Sequence, residues 1–283
     1  MEGCKVHFNK VSRAKRQKSM LRVDFRRMFR SRLFYIIIAC ALLTPIVMTV
    51  MLTMMDGQES TNPQTGEITI MEGPQSTWES IGTLPSSEAV TPPAEGADAM
   101  SAMADMSVMA MCNINMAFMG VCVFVCLFIS DDFRSGYAKN LFTVRADRGE
   151  YVVSKTLAGF VCGALMLIAY FIGAMLGGAI SGLSFELGTL TTGNIIMCLI
   201  AKILLMPVFV SIFTLISIAA KSKAWLSICG SLGGGMLLFM TVGLITPLNS
   251  TLINVALCAA GGILFSLGLG IASRAILRKT SLV

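Results

Sequence analysis

Nine ionisable side chains crowd into residues 130–155: Asp131, Asp132, Arg134, Lys139, Arg145, Asp147, Arg148, Glu150 and Lys155. Five are basic and four acidic, so the segment is strongly charged yet almost neutral. Tyr137, Leu141, Phe142 and Tyr151 are interleaved with them. Aromatic anchors inside a charged rim suit a surface that binds protein. A short helix over 133–142 would present Tyr137, Leu141 and Phe142 between Arg134 and Lys139; the plainer alternative is a solvated loop. Two other groups of residues could do chemistry. Lys202, with Asn113 and Asn115, falls inside apolar stretches, where polar groups are costly and commonly functional. Together they could line a polar cavity; equally, Lys202 could snorkel outward along its stem. Met100, Met103, Met106 and Met109 recur every third residue. Thioethers can bind Cu(I), but adaptable packing is the simpler use of such a series.

Much other chemistry is missing. The one histidine is His7, which argues against a Ser/His protease or a His-ligated metal enzyme. No G-x-x-x-x-G-K-[ST] occurs, so the chain carries no recognisable ATP site and no cofactor of its own is expected. The nine cysteines form no C-x-x-C pair, so neither a disulfide framework nor a zinc site is read; no metal ligand set is assigned. No paired acids in the apolar stretches suggest a proton relay, and no loop resembles a selectivity filter.

The elements that must position these residues follow from composition. The chain is 55% hydrophobic and 13% charged, with mean hydropathy +0.75. Six apolar stretches, about 34–55, 107–129, 156–180, 194–220, 224–244 and 252–273, are each long enough to cross a bilayer as a helix. Before them, Leu21, Phe25, Met28, Phe29 and Leu33 fall on one helical face among arginines, which predicts a basic amphipathic helix at the membrane surface. Residues 1–33 hold eleven bases, while 56–106 hold nine acids and no base. With the bases after the second, fourth and sixth spans, 21 of the 22 basic residues fall on one side. The positive-inside rule puts both termini and residues 130–155 in the cytoplasm and the acidic loop outside. That loop is rich in Pro, Gly, Ser and Thr, with a short strand expected near Ile68–Met71 and a hairpin or helix near Trp78. The division is therefore 1–33, a basic tail and connecting helix, and 34–283, a six-span domain.

Read in order, Asp131 or Asp132, Gly136, Lys139, Asn140, Leu141, Arg148, Tyr151 and Lys155 resemble the loop between the second and third spans of ABC exporter permeases of the ABC-2 type, similar to peptide-antibiotic immunity permeases. The resemblance implies an all-α integral membrane protein with six transmembrane helices, an N-terminal interfacial helix and a coupling helix in this loop. It implies an ATPase-coupling interface built from Asp132, Phe133, Gly136, Tyr137, Lys139, Asn140, Leu141, Phe142, Arg148, Tyr151 and Lys155. It further implies two copies of a separate ATPase subunit that bind ATP and Mg, a second permease copy as homodimer partner, and a bacterial plasma membrane. Nucleic acid is not an expected partner. The chain departs from the pattern in lacking a proline before Arg148 and in the shortness of 246–251, where relatives often carry a re-entrant hairpin. The expected cargo is an amphiphile such as a peptide or antibiotic, which the net charge of −9 in 56–106 could attract, although the simpler use of those acids is topology and solubility. Rival readings are a non-transporting sensor or immunity scaffold and, more weakly, copper handling.

Overall fold

The computed structural model describes residues 13–61, 68–70, 74, 76–81, 113–144, 148–187 and 190–279. His7, Arg145, Asp147, the four methionines from Met100 to Met109 and the acidic loop beyond Ile81 lie outside the described residues. The described chain is a helical bundle. Helix α1 is Arg13–Arg30 and α2 is Arg32–Met54, separated only by Ser31. Helix α3 spans Met116–Arg134, α4 Tyr137–Val144, α5 Arg148–Ser181, α6 Thr192–Ala220, α7 Ala224–Ile245 and α8 Leu252–Lys279. Five of them, α2, α3, α5, α6 and α8, are long and apolar enough to cross a membrane. Helix α7 is apolar over Ala224–Phe239 and completes the bundle.

Two boundaries differ from the hydropathy reading. Helix α3 continues through Asp131–Arg134, where Asp132 finds partners inside the protein instead of ending the helix. Helix α5 starts at Arg148, a full two turns before its apolar run. Its 34 residues make it about 50 Å long at 1.5 Å per residue, against a hydrocarbon core of about 30 Å. The surplus stands out at the basic end, where the site lies.

Small residues fix how the helices meet. Gly173 and Gly177 of α5 face α2 around Pro45, which lies inside that helix. A Cβ on Gly173 would lie 2.2 Å from the Leu42 carbonyl oxygen, so only glycine permits this approach. On α8, a Cβ at Gly262 would lie 2.5 Å from the carbonyl of Leu204 on α6. These three glycines thus serve contacts within one chain. Helix α6 is central and packs against α3, α5, α7 and α8. Helix α8 is peripheral, with Ile253, Leu257, Leu264, Phe265 and Ile271 exposed as a lipid-facing helix requires.

At the end away from the basic residues, β1 (Glu59–Thr61) pairs antiparallel with β2 (Ile68–Ile70), Glu59 opposite Ile70. A 3-10 turn at Thr77–Ser80 then docks on the bundle. The Ser76 hydroxyl accepts from Trp78 N at 3.3 Å, and Thr77 N donates to the Ser184 carbonyl at 3.2 Å. Thr77 fills the place a side chain at Gly178 would take, and Trp78 meets Phe185 edge-on at 6.2 Å.

Candidate coupling site at the basic end

The amphipathic helix buries a different stripe from the one its largest apolar residues suggest. Met20, Asp24 and Met28 are its buried residues, spaced by four, while Phe29 is exposed. An aspartate at the centre of a buried stripe must meet a partner, since an unpaired buried charge is strongly disfavoured. Asp24 meets Lys155 of α5, whose Nζ lies 2.8 Å from Asp24 Oδ1. The same ammonium lies 2.7 Å from Asp132 Oδ2 at the end of α3. Arg27 completes the set, one guanidinium nitrogen lying 2.6 Å from Asp132 Oδ1. Two carboxylates and two cations therefore balance in one cluster shared by α1, α3 and α5.

Neutral groups fill the remaining valences. Tyr151 donates its hydroxyl to Asp132 Oδ2 at 3.0 Å, and Ser154 donates to Asp24. The Lys155 ammonium lies 4.0 Å from the centroid of Phe128, and the Arg27 guanidinium 4.3 Å from that of Tyr137. Burial works against the charge on Arg27, but the carboxylates of Asp132 and Asp24 outweigh it and hold the guanidinium above its ordinary pKa. Burial, and then the Asp24 carboxylate, push the Tyr137 phenol upward, so it stays neutral.

The first two turns of α5 reach further. Glu150 pairs with Arg16 of α1 at 3.4 Å. Arg148 donates to the carbonyl of Leu277 in the last turn of α8 and packs beside the Phe142 ring. Phe142 meets Tyr151 edge-on at 5.3 Å, which seats α4 on α5. Gly136 provides the turn from α3 into α4 with φ +74°, a left-handed conformation that suits glycine. One short segment thus holds α1, α3, α4 and α8.

The eleven residues expected at the coupling surface divide into three groups, apart from Gly136, which makes the turn between α3 and α4. Asp132, Tyr151 and Lys155 are buried within the chain, and Arg148 is turned onto α8. Tyr137, Leu141, Phe142 and Phe133 are half-buried and face the bundle, with Tyr137 beneath Arg27. Lys139 and Asn140 point outward. The aromatic residues of α4 therefore anchor it to its own chain, and its free face is polar. Asp24, Arg27 and Ser154 were absent from the sequence-based set. The signal that could have found Asp24 is its place midway between Met20 and Met28.

Lys202 does join Asn115, and it does not reach for solvent. It is 1% exposed; its Nζ donates to Asn115 Oδ1 at 2.7 Å and to Thr246 Oγ1 at 3.0 Å. Asn113 takes no part at the ammonium; its Oδ1 accepts from Asn115 N at 2.9 Å. The lysine, nearly three turns into α6, ties that helix to the start of α3 and the end of α7, opposite the basic cluster.

Searches among curated proteins and among solved structures returned no match. The sequence profile described as ABC-2 family transporter protein matches residues 90–243, more than half of the chain. That region takes in α3 to α6, most of α7, and with them Asp132, α4 and the start of α5. A helical bundle of membrane-spanning length, a short helix between its second and third long apolar helices, and this match lead to one conclusion: the chain belongs to the ABC-2 family of transporter proteins.

Proposed function

We propose that this chain is the membrane subunit of an ATP-driven exporter in a bacterial plasma membrane, with both termini in the cytoplasm. It works as a homodimer with two copies of a separate ATPase subunit, which bind ATP and Mg and dock on the outward face of α4. The cargo is an amphiphile, with peptides and peptide antibiotics as the leading class. Membership of the family supports a membrane component partnered by an ATPase. The observation that carries the coupling route is Lys155, held at 2.8 and 2.7 Å by carboxylates from two other helices. A displacement of α4 reaches Asp132 through Gly136, and one of α1 reaches Asp24 directly. Both arrive at Lys155 and so at α5. ATP binding, by favouring one arrangement of the ATPases, would shift the population of the spans.

Lys139→Glu combined with Asn140→Arg tests the docking face without touching the buried cluster. A tagged wild-type subunit should bring ATP hydrolysis with it through purification, and the double variant should lose it at an equal level in the membrane. Equal hydrolysis from both preparations would overturn the assignment of α4. A wild-type preparation whose hydrolysis never responds to amphiphilic peptides would count against export of this cargo class.

A further inference from the structure

Three helices of membrane-crossing length change from apolar to charged beside α1. Arg32 opens α2, Asp131 and Asp132 close the apolar run of α3, and Lys155 precedes that of α5. Helix α1 is tied to all three: Asp24 to Lys155, Arg27 to Asp132, and Arg30 to Arg32 through the single residue Ser31. The part of α1 from Asp24 to Arg30 therefore runs along the border of the hydrocarbon, at headgroup depth. Its buried stripe of Met20, Asp24 and Met28 faces the bundle, so the opposite side faces outward. Steps of four carry Arg22, Arg26 and Arg30 along that side, about 12 Å from first to last. All three are exposed, as is Arg32. Among the described residues none of these four arginines pairs with a carboxylate. The one acid of α1, Asp24, is turned inward.

Apolar side chains border the arginines on the way into the membrane. Phe29 is 44% exposed and meets Phe34 edge-on at 5.3 Å, at the root of α2, where Tyr35 and Ile36 are exposed as well. Cations without counter-ions at headgroup depth, next to apolar groups that lead into the hydrocarbon, fit a lipid with an anionic headgroup. A soluble protein partner would use the arginines but not Tyr35 and Ile36, which lie in the first turns of a membrane-crossing helix. We propose that the outward face of α1 binds anionic phospholipid of the leaflet on the basic side. The lipid phosphates pair with Arg22, Arg26, Arg30 and Arg32, and the acyl chains lie along Phe29, Tyr35 and Ile36. The apolar stripe expected from sequence is thereby divided, with Met28 serving the bundle and Phe29 the lipid. Lipid on the outside and Lys155 on the inside hold α1 from opposite sides, so the charge of the leaflet bears on the buried cluster. The inference requires a membrane-spanning chain and is independent of export.

The test is native mass spectrometry of the full chain in detergent, offered phosphatidylglycerol and phosphatidylcholine with the same acyl chains. Wild type should retain phosphatidylglycerol about tenfold more than phosphatidylcholine. Arg22→Gln combined with Arg26→Gln should lower that preference by about fivefold or more; both residues are exposed, so the fold should survive. Lys221→Gln combined with Lys223→Gln removes two exposed bases from the same end of the molecule and should leave the preference unchanged. An equal loss in the two double variants would mean that overall positive charge attracts the lipid, and would overturn the proposal. An unchanged preference in the Arg22 and Arg26 variant would overturn it too, and if ATP hydrolysis ceased to co-purify with that variant, the face would belong to a protein partner. Displacement of phosphatidylglycerol by equimolar inorganic phosphate would mark a site for the free anion and would equally overturn it.

Discussion

Lys155→Met removes the one cation that touches both buried carboxylates. The consequence divides unevenly. Asp132 keeps Arg27 at 2.6 Å and Tyr151 at 3.0 Å, whereas among the described residues Asp24 keeps only the Ser154 hydroxyl. Methionine fits the lysine stem, so packing changes little and the loss is mainly that of an uncompensated buried carboxylate. Breaking a buried pair from one side costs about 3–5 kcal/mol. Asp24→Asn in the same background removes that charge and should recover about half of the loss or more. Asp24→Asn alone should also destabilise, because Lys155 would then share a single carboxylate. The measurement is a double-mutant cycle on reversible unfolding in mixed micelles, with the two single variants, the double variant and the wild type. A loss below about 1 kcal/mol for Lys155→Met would refute the reasoning, as would losses that simply add in the double variant.

Two further outcomes follow from the geometry. Lys202→Met should change stability by only about 1–2 kcal/mol in the same assay, because two hydrogen bonds are lost but no carboxylate pairs with Lys202 among the described residues; a loss as large as that of Lys155→Met would contradict this account. Gly178→Val would place a Cβ 2.2 Å from the Thr77 hydroxyl. It should lift the 77–80 turn off α5, at a cost of about 1–3 kcal/mol, and expose Trp78; in a Trp225→Phe background, an unshifted fluorescence spectrum would refute it.

The sequence disclosed the large apolar helices, the amphipathic entry helix and the short strand near Ile68, since each depends on local period and length. It pointed to Lys155, Tyr151 and Asp132 as members of one loop. What it could not supply was direction. Whether a side chain in 130–155 faces a partner or its own bundle is set by residues more than a hundred positions away, such as Asp24 for Lys155 and Leu277 for Arg148. Phe142 and Tyr137 look like docking anchors in one dimension because an aromatic anchor has the same sequence signature whichever surface it meets. Asp24 is hidden for the opposite reason: one of two acids among eleven bases reads as solvated until its helical face is known. Lys202 and Asn115 stand out together as polar residues inside apolar stretches, whereas Thr246 does not, because it belongs to the cap of a different helix.

The length of α5 sets the scale on which any movement would be felt. Arg148, bonded to the last turn of α8, and Gly178, beneath Thr77, stand on one uninterrupted helix. They are separated by about 45 Å along its axis. A swing of about 5° around the first turn would carry the far end sideways by about 4 Å, on the order of one side-chain diameter. Thr77 cannot stay seated on Gly178 and also keep a fixed position in space through such a swing. The outer turn must therefore travel with the helix or come off it. Amplification by leverage is thus a property of this fold, and the docked turn is the place where a small angular change at one membrane surface becomes visible at the other.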